Sequence, residues 1–337
     1  MDREDLSMIA DGLDRILTGA PLESIDHARG VGTESGALWT TLAEAGYPKL
    51  CVAEGHGGFG GSFVDAAVLA QLIARHAVAL PLTDTILASG LLSACGVAAP
   101  DLKMGLADPL DPDSALPHAE QLDAVLRWNQ GQFQLVRLDA GTITPQAKSE
   151  DGAGFVPSAG GDVLAEVAAP HWLTAETCHA IAAFARAANM AGAMQAVLSL
   201  TLSYTQDREQ FGRPLAKFQA IQHHLSDIAC ETAASIAAVE MASDALAADP
   251  MCGAHTMAEI AIAKIRCGEA AARVAASAHQ AHGAMGFTRE YALGRYTRRL
   301  WQWQDEFGSE VWWAAKLGHS VLADEACALW PRISQPI

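Results

Sequence analysis

Three long stretches in the second half constrain the fold of this chain more than any other feature. "AETCHAIAAFARAANMAGAMQAVLSLTLSYTQD" reads as one helix from about 175 to 207, which Gly212 and Pro214 then break. A second helix is expected from about 215 to 247. In it Phe218, Ile221, Leu225, Ile228, Thr232, Ile236 and Val239 recur at steps of three and four and line one face. "ADPMCG" closes that helix, a third runs from about 255 to 282, and "GAMGF" marks the next turn. Helices of this length with one apolar face bury it against one another, so 172–337 is predicted to be a helical bundle. Shorter helices are expected to carry the chain on to "LWPRISQPI".

The first 99 residues are also predicted to be helical, with "LSMIADGLDRIL", "SGALWTTLAEAG" and "FVDAAVLAQLIARHAV" showing the helical period. Between 100 and 171 the texture changes. "ADPLDPDSALPHAE" is rich in proline and aspartate, and "DAVLRW", "QFQLVRL" and "TITPQA" read as short strands separated by turns such as "NQGQ" and "SEDGAG". The predicted class is therefore mostly α: an N-terminal helical domain, a small middle β domain and a C-terminal bundle. Abundant alanine and sparse aromatics favour close-packed helices.

A formal charge of −17 argues against a nucleic-acid surface, so an anionic ligand needs a few local arginines. Seven cysteines with no C-x-x-C pair suit free thiols in a reducing compartment, and the acidic N-terminus lacks a signal-peptide core. The apolar stretch 179–207 is interrupted by Arg186, Asn189 and Gln195 and is not expected to span a membrane. A cytoplasmic protein is the expectation. "GHGGFG" matches a dinucleotide fingerprint through Gly55, Gly57 and Gly60, but its neighbours do not supply a parallel βαβ unit, so a helix connection is expected. His279 and His282, one helical turn apart, and the adjacent His223 and His224 have no obvious third ligand, so no metal is expected.

The most specific signal is "YTQDREQFGRPLAKFQAIQHHLSDIA". A helix end carrying Arg208, Gln210 and Phe211, then a turn at Gly212–Pro214, gathers an arginine, an amide and an aromatic at one corner. Such a set can clasp a diphosphate and cover a ring system, and an ordinary capped turn contains the same residues. The stretch resembles the acyl-CoA dehydrogenase signature R-x-Q-F-G-[KR]-P-[LI] followed by F-Q-x-[IV]-Q. "QAHGAMGFTREYALGRYTRR" is similar to that family's Q-x-x-G-G-x-G-[FY] segment, and "AEGHGGFGGSFVDAAVLAQLIAR" to its N-terminal P-E-x-x-G-G-x-G. The three occur in family order across nearly the whole chain.

The resemblance implies FAD as cofactor, bound between subunits, with Arg208, Gln210, Phe211 and Gln219 contacting a neighbour's flavin nucleotide. It places Gln280, Gly283 and Ala284 beside the diphosphate, Ala284 standing where the family has glycine. The implied reaction is α,β-dehydrogenation of an acyl-CoA thioester. A glutamate takes the α-proton, hydride goes to the flavin, and an electron-transfer flavoprotein is the expected acceptor. "DEFGSE" aligns with the family's [YF]-E-G-T-x-[EQ] turn and puts Glu306 on the base, with Phe307 at the glycine position. Some relatives carry the base on the first bundle helix instead, and the matching stretch "HAIAAFA" holds no carboxylate. The middle stretch lacks an E-P-x-[AS]-G-S-D motif. This points to a reduced subunit that acts as a homo-oligomer or as one partner of a heteromer with a longer homologue, sharing its FAD.

Overall fold

The computed structural model describes residues 1–20, 33–139, 143–145, 154–155, 161–288 and 290–323. Four helices come first: α1 (Arg3–Gly19), α2 (Thr33–Glu44), α3 (Phe63–Arg75) and α4 (Leu82–Ala94). The glycine-rich 55–60 stretch is a tight connection rather than a strand end. Glu54–His56 makes one 3-10 turn, and Ser62 then caps α3 in a reciprocal box with Asp65.

The middle segment builds a sheet in the order β1 (Met104–Leu106), β2 (Ala124–Asn129), β3 (Gln132–Arg137) and β6 (Val163–Ala168). β1 runs parallel to β2, and the other two pairs are antiparallel. Two of these strands, β1 and β6, were not among those expected from sequence. Of "TITPQA", Thr144–Pro145 forms β4 and pairs with β5 (Gly154–Phe155). Nearly all of "SEDGAG", and all of "LWPRISQPI", lie outside the described residues.

The bundle consists of α5 (Ala175–Asp207), α6 (Gln219–Ala248) and α7 (Ala254–His282), closed by α8 (Leu293–Asp305) and α9 (Glu310–Leu322). Thr174 opens α5 by accepting from the Thr177 amide. By length and composition α5 could cross a membrane. Instead it is the core helix, packed against α3, α6, α7 and α8, with Ala180 to Ala193 almost wholly buried. Gly192 lets α3 approach: a Cβ there would sit 2.0 Å from the Gln71 carbonyl oxygen.

The apolar stripe on α6 is buried only from Ile228 onward, where Ile228, Thr232 and Val239 are inaccessible. Phe218, Ile221 and Leu225 remain half-exposed, because the first turns of α6 project beyond the chain's own core. The helix also begins at Gln219 rather than near 215, a 3-10 turn over Leu215–Lys217 preceding it.

Candidate active site and an exposed corner

The segment between α5 and α6 is a hairpin, not the helix end expected from sequence. α5 stops at Asp207, and β7 (Glu209–Gln210) pairs with β8 (Arg213–Pro214). Phe211 (φ 53°) and Gly212 (φ 77°) both take left-handed backbone, the geometry a two-residue hairpin turn requires and a helix does not supply. Phe211 is 91% exposed, its ring edge-on to Phe218, over which Arg213 lies 4.2 Å away. Arg208, Gln210 and Gln219 are exposed too, as are Gln280, Gly283 and Ala284 at the end of α7. The two exposed pieces meet where the Tyr204 hydroxyl donates to the His282 carbonyl.

Glu306 is in a different environment. It is the C-cap of α8, and its amide donates to the Gln302 carbonyl at 3.2 Å. Its carboxylate points inward: Arg186 Nε donates to Oε2 and Gln302 Nε2 donates to Oε1 at 2.8 Å. The same guanidinium donates through Nη2 to Asp84 Oδ1 at 2.7 Å. Asp84 on α4, Arg186 on α5 and Glu306 after α8 thus form an interior ion triad, with side chains 4%, 2% and 11% exposed.

The turn that follows is held from several sides. Phe307 adopts φ 53°, which costs a non-glycine residue about 1 kcal/mol or more. Its ring is buried under Arg186, 5.2 Å from the guanidinium carbon, and its carbonyl accepts from Trp313 Nε1 at 2.9 Å. The glycine-like conformation is therefore kept although glycine is not. At Gly308 (φ 86°) a Cβ would lie 2.8 Å from the Trp312 ring and 2.9 Å from Trp313 Nε1, so no larger residue fits. Lys264, fully buried on α7, donates to the Gln304 and Gly308 carbonyls at 2.8 and 2.7 Å, one on each side of Glu306.

Residues 172–301 match the family described as "Acyl-CoA dehydrogenase, C-terminal domain". A curated relative, acyl-CoA dehydrogenase IpdE2 of Mycobacterium tuberculosis, is 32% identical over 282 residues, covering 78% of this chain and 80% of the relative. The chain belongs to the acyl-CoA dehydrogenase family. Among solved structures, the ChsE4–ChsE5 complex from Mycobacterium tuberculosis superposes with a TM-score of 0.78 at 20% identity, covering 96% of this chain and 98% of that one. The Tcur3481–Tcur3483 steroid ACAD G363A variant gives 0.77 at 23%, covering 96% and 99%. At these identities the two share the fold.

Acyl-CoA dehydrogenases are FAD flavoproteins, and the exposed surface fits such a group. Arginine, amide and aromatic side chains stand unburied together, and a Cβ built on Gly283 meets no atom within 4 Å, so the turn faces open space. Arg208 can pair with phosphate oxygens, Gln210 and Gln219 can donate to polar ring atoms, and Phe211 can cover an aromatic face.

The chemistry at Glu306 is set by opposing effects. Burial raises its carboxyl above the ordinary range, and the Arg186 charge and hydrogen bond pull it back. Burial alone would lower Arg186, but Asp84 and Glu306 more than reverse this, so it stays charged. Lys264 is pulled down to about 8 by burial, against the charge of Glu306.

The sequence singles out Glu306, expected there as the base, but not the residues that surround it in the fold, Asp84, Arg186 and Lys264. The available signal was an isolated charge within an apolar helix, as Arg186 is in "AAFARAANM" and Lys264 in "EIAIAKIRCG". A second buried pair was also missed: His179 Nδ1 and Asp108 Oδ1 lie 2.7 Å apart, with the imidazole against Trp312 and Trp313.

Proposed function

We propose that this chain is one subunit of a heteromeric, FAD-dependent acyl-CoA dehydrogenase. It offers the Arg208–Gln219 corner and the Gln280–Ala284 turn to flavin at the subunit interface. The longer partner supplies the base for α,β-dehydrogenation of an acyl-CoA thioester, and an electron-transfer flavoprotein receives the electrons. The observation that carries this is the engagement of Glu306. Both carboxylate oxygens and the backbone N–H are committed within the chain, leaving neither an open base nor an amide for a thioester oxygen. Two structures sharing the fold carry paired names, ChsE4–ChsE5 and Tcur3481–Tcur3483, in keeping with a two-component enzyme. The second name includes "steroid", which makes a steroid-derived acyl-CoA the first substrate to try.

Bound FAD supplies the hydride acceptor. Arg208 neutralises phosphate charge that an overall acidic protein otherwise repels, and Phe211, projecting from a rigid two-residue turn, shields the flavin from water. Within this subunit the triad of Asp84, Arg186 and Glu306 fills the interior with mutually satisfied charges.

A second reading makes Glu306 itself the base. It is favoured by the upward pull of burial on its carboxyl and by its place in the turn after α8. This reading requires Arg186 to release Oε2 when acyl-CoA binds.

The visible spectrum separates the two. The chain purified alone is expected to be colourless, and co-expression with a longer homologue should give yellow protein that Arg208→Ala with Phe211→Ala strips of flavin. A chain that is yellow alone and bleaches with an acyl-CoA would overturn the heteromer reading.

A further inference from the structure

Beneath the two exposed pieces lies a ring cluster in which His282 is buried and Tyr204 and Tyr291 are half-exposed. Tyr204, near the end of α5, stacks on His282 at 4.4 Å and 23°. Its hydroxyl donates to the His282 carbonyl at 3.3 Å, and its own carbonyl accepts the Arg208 amide at 2.9 Å. One tyrosine thus holds the start of the hairpin and the end of α7 at once. Tyr291, in the connection before α8, closes the cluster with its ring 5.1 Å from His282 and 5.8 Å from Tyr204.

The hydrogen bonds select one form of His282. Nδ1 lies 2.8 Å from the Ala278 carbonyl, which can only accept, so Nδ1 carries the proton. In the neutral ring Nε2 is then an acceptor, and the Tyr291 hydroxyl 3.1 Å away donates to it. His282 is 3% exposed. The titratable groups facing it are Tyr204 from α5, Tyr291 from the connection and His279 from its own helix. Among the described residues no carboxylate acts on it. A second proton would turn Nε2 into a donor, so the Tyr291 hydroxyl would have to turn and accept, and it would place a cation with no facing carboxylate among the described residues in the interior.

We propose that His282, clamped between Tyr204 and Tyr291, is the positioning residue that ties the Arg208 hairpin to the Gln280–Ala284 turn, and that its neutral form holds them in register for flavin. This rests on the flavin-facing role assigned above. Burial lowers the His282 ring below its ordinary range, in keeping with a group retained in the neutral state. On acidification, protonation uncouples the two pieces and flavin is released.

The test is FAD retention by the assembled, flavin-loaded protein, read from 450 nm absorbance after buffer exchange between pH 8 and pH 5. The wild type is expected to hold FAD about tenfold less tightly at the acid end than at pH 8. His282→Gln keeps an acceptor for Tyr291 and does not titrate but loses the stack on Tyr204, so it should hold FAD less tightly than wild type at pH 8 and show no further loss down to pH 5. Tyr291→Phe removes only the hydroxyl and should weaken retention about fivefold at pH 8. Identical pH profiles for the wild type and His282→Gln, or a Tyr291→Phe protein with unchanged retention, would overturn the inference. Arg208→Ala separates the two levels. Lost FAD in Arg208→Ala, with His282→Gln and Tyr291→Phe both behaving as wild type, refutes the positioning role and leaves the flavin-facing reading standing. Unchanged FAD in Arg208→Ala refutes both.

Discussion

Replacing Arg186 by methionine leaves two carboxylates, Asp84 and Glu306, facing each other in the interior without their shared cation. Arg186 reaches Asp84 at 2.7 Å through Nη2 and Glu306 through Nε, and its side chain is 2% exposed. Removing one partner from a buried ion pair typically costs about 3–5 kcal/mol, because the remaining charge stays desolvated. Against a total stability of roughly 5–15 kcal/mol, that is a large fraction. Urea denaturation of the full-length chain, followed by far-UV circular dichroism, measures the loss directly. The sign of its pH dependence is as informative as its size. Without arginine the Glu306 carboxyl, already raised by burial, rises further, so the folded variant binds a proton that the unfolded chain releases. Its stability should be best preserved in mild acid and decline as pH rises through the raised carboxyl range, so the deficit relative to wild type should shrink on acidification. A triple variant, Asp84→Leu, Arg186→Met and Glu306→Leu, replaces the triad by apolar groups and should recover most of the loss. A deficit below about 1 kcal/mol with no pH dependence would mean that the triad is solvated and that Glu306 is not locked.

Lys264→Met should alter the alkaline limb of stability. With Lys264 at about 8 when folded and 10.5 when unfolded, the unfolded chain holds the extra proton between those values, so wild-type stability gains up to about 3 kcal/mol across that window. The difference between wild-type and Lys264→Met denaturation curves at pH 7.5 and 10 should show that gain disappear, and parallel curves would contradict it. Trp313→Phe removes the donor to the Phe307 carbonyl and is expected to cost about 1–3 kcal/mol in the same assay, the carbonyl being left buried. Gly192→Ala should be more damaging than its size suggests, since its Cβ meets the Gln71 backbone at 2.0 Å. A melting temperature lowered by less than about 2 °C would show that α3 and α5 do not cross so closely.

The helices were legible in the sequence because each carries a long apolar period, and α5 and α7 begin and end within a residue of where breakers and turns suggest. The sheet was only partly legible. β1 has three residues, too few to show alternation, and β6 is a half-exposed strand at the sheet edge with no clean inside face. The exposed Arg208–Gln219 corner and Gln280–Ala284 turn, which we propose face flavin, each lie within one contiguous motif. The triad does not, since Arg186 is 102 positions from Asp84 and 120 from Glu306, and no local pattern encodes a contact between α4, α5 and the end of α8. What reads in sequence as an acidic turn with one irregular residue becomes, once folded, a carboxylate with each oxygen hydrogen-bonded inside the chain. Phe307 reaches the left-handed region because Arg186, Trp313 and Lys264 hold the segment around it.

The central claim is that Glu306 serves as a structural anion in this subunit while the partner supplies the base. It is tested most directly by Glu306→Gln in the assembled, FAD-loaded protein, following flavin absorbance at 450 nm after mixing with an acyl-CoA substrate in a single turnover. The account predicts bleaching at a rate within a few-fold of wild type, with FAD content unchanged. Full FAD content with bleaching slowed by about 10²-fold or more, the range expected for losing a general base, would contradict it and identify Glu306 as the base.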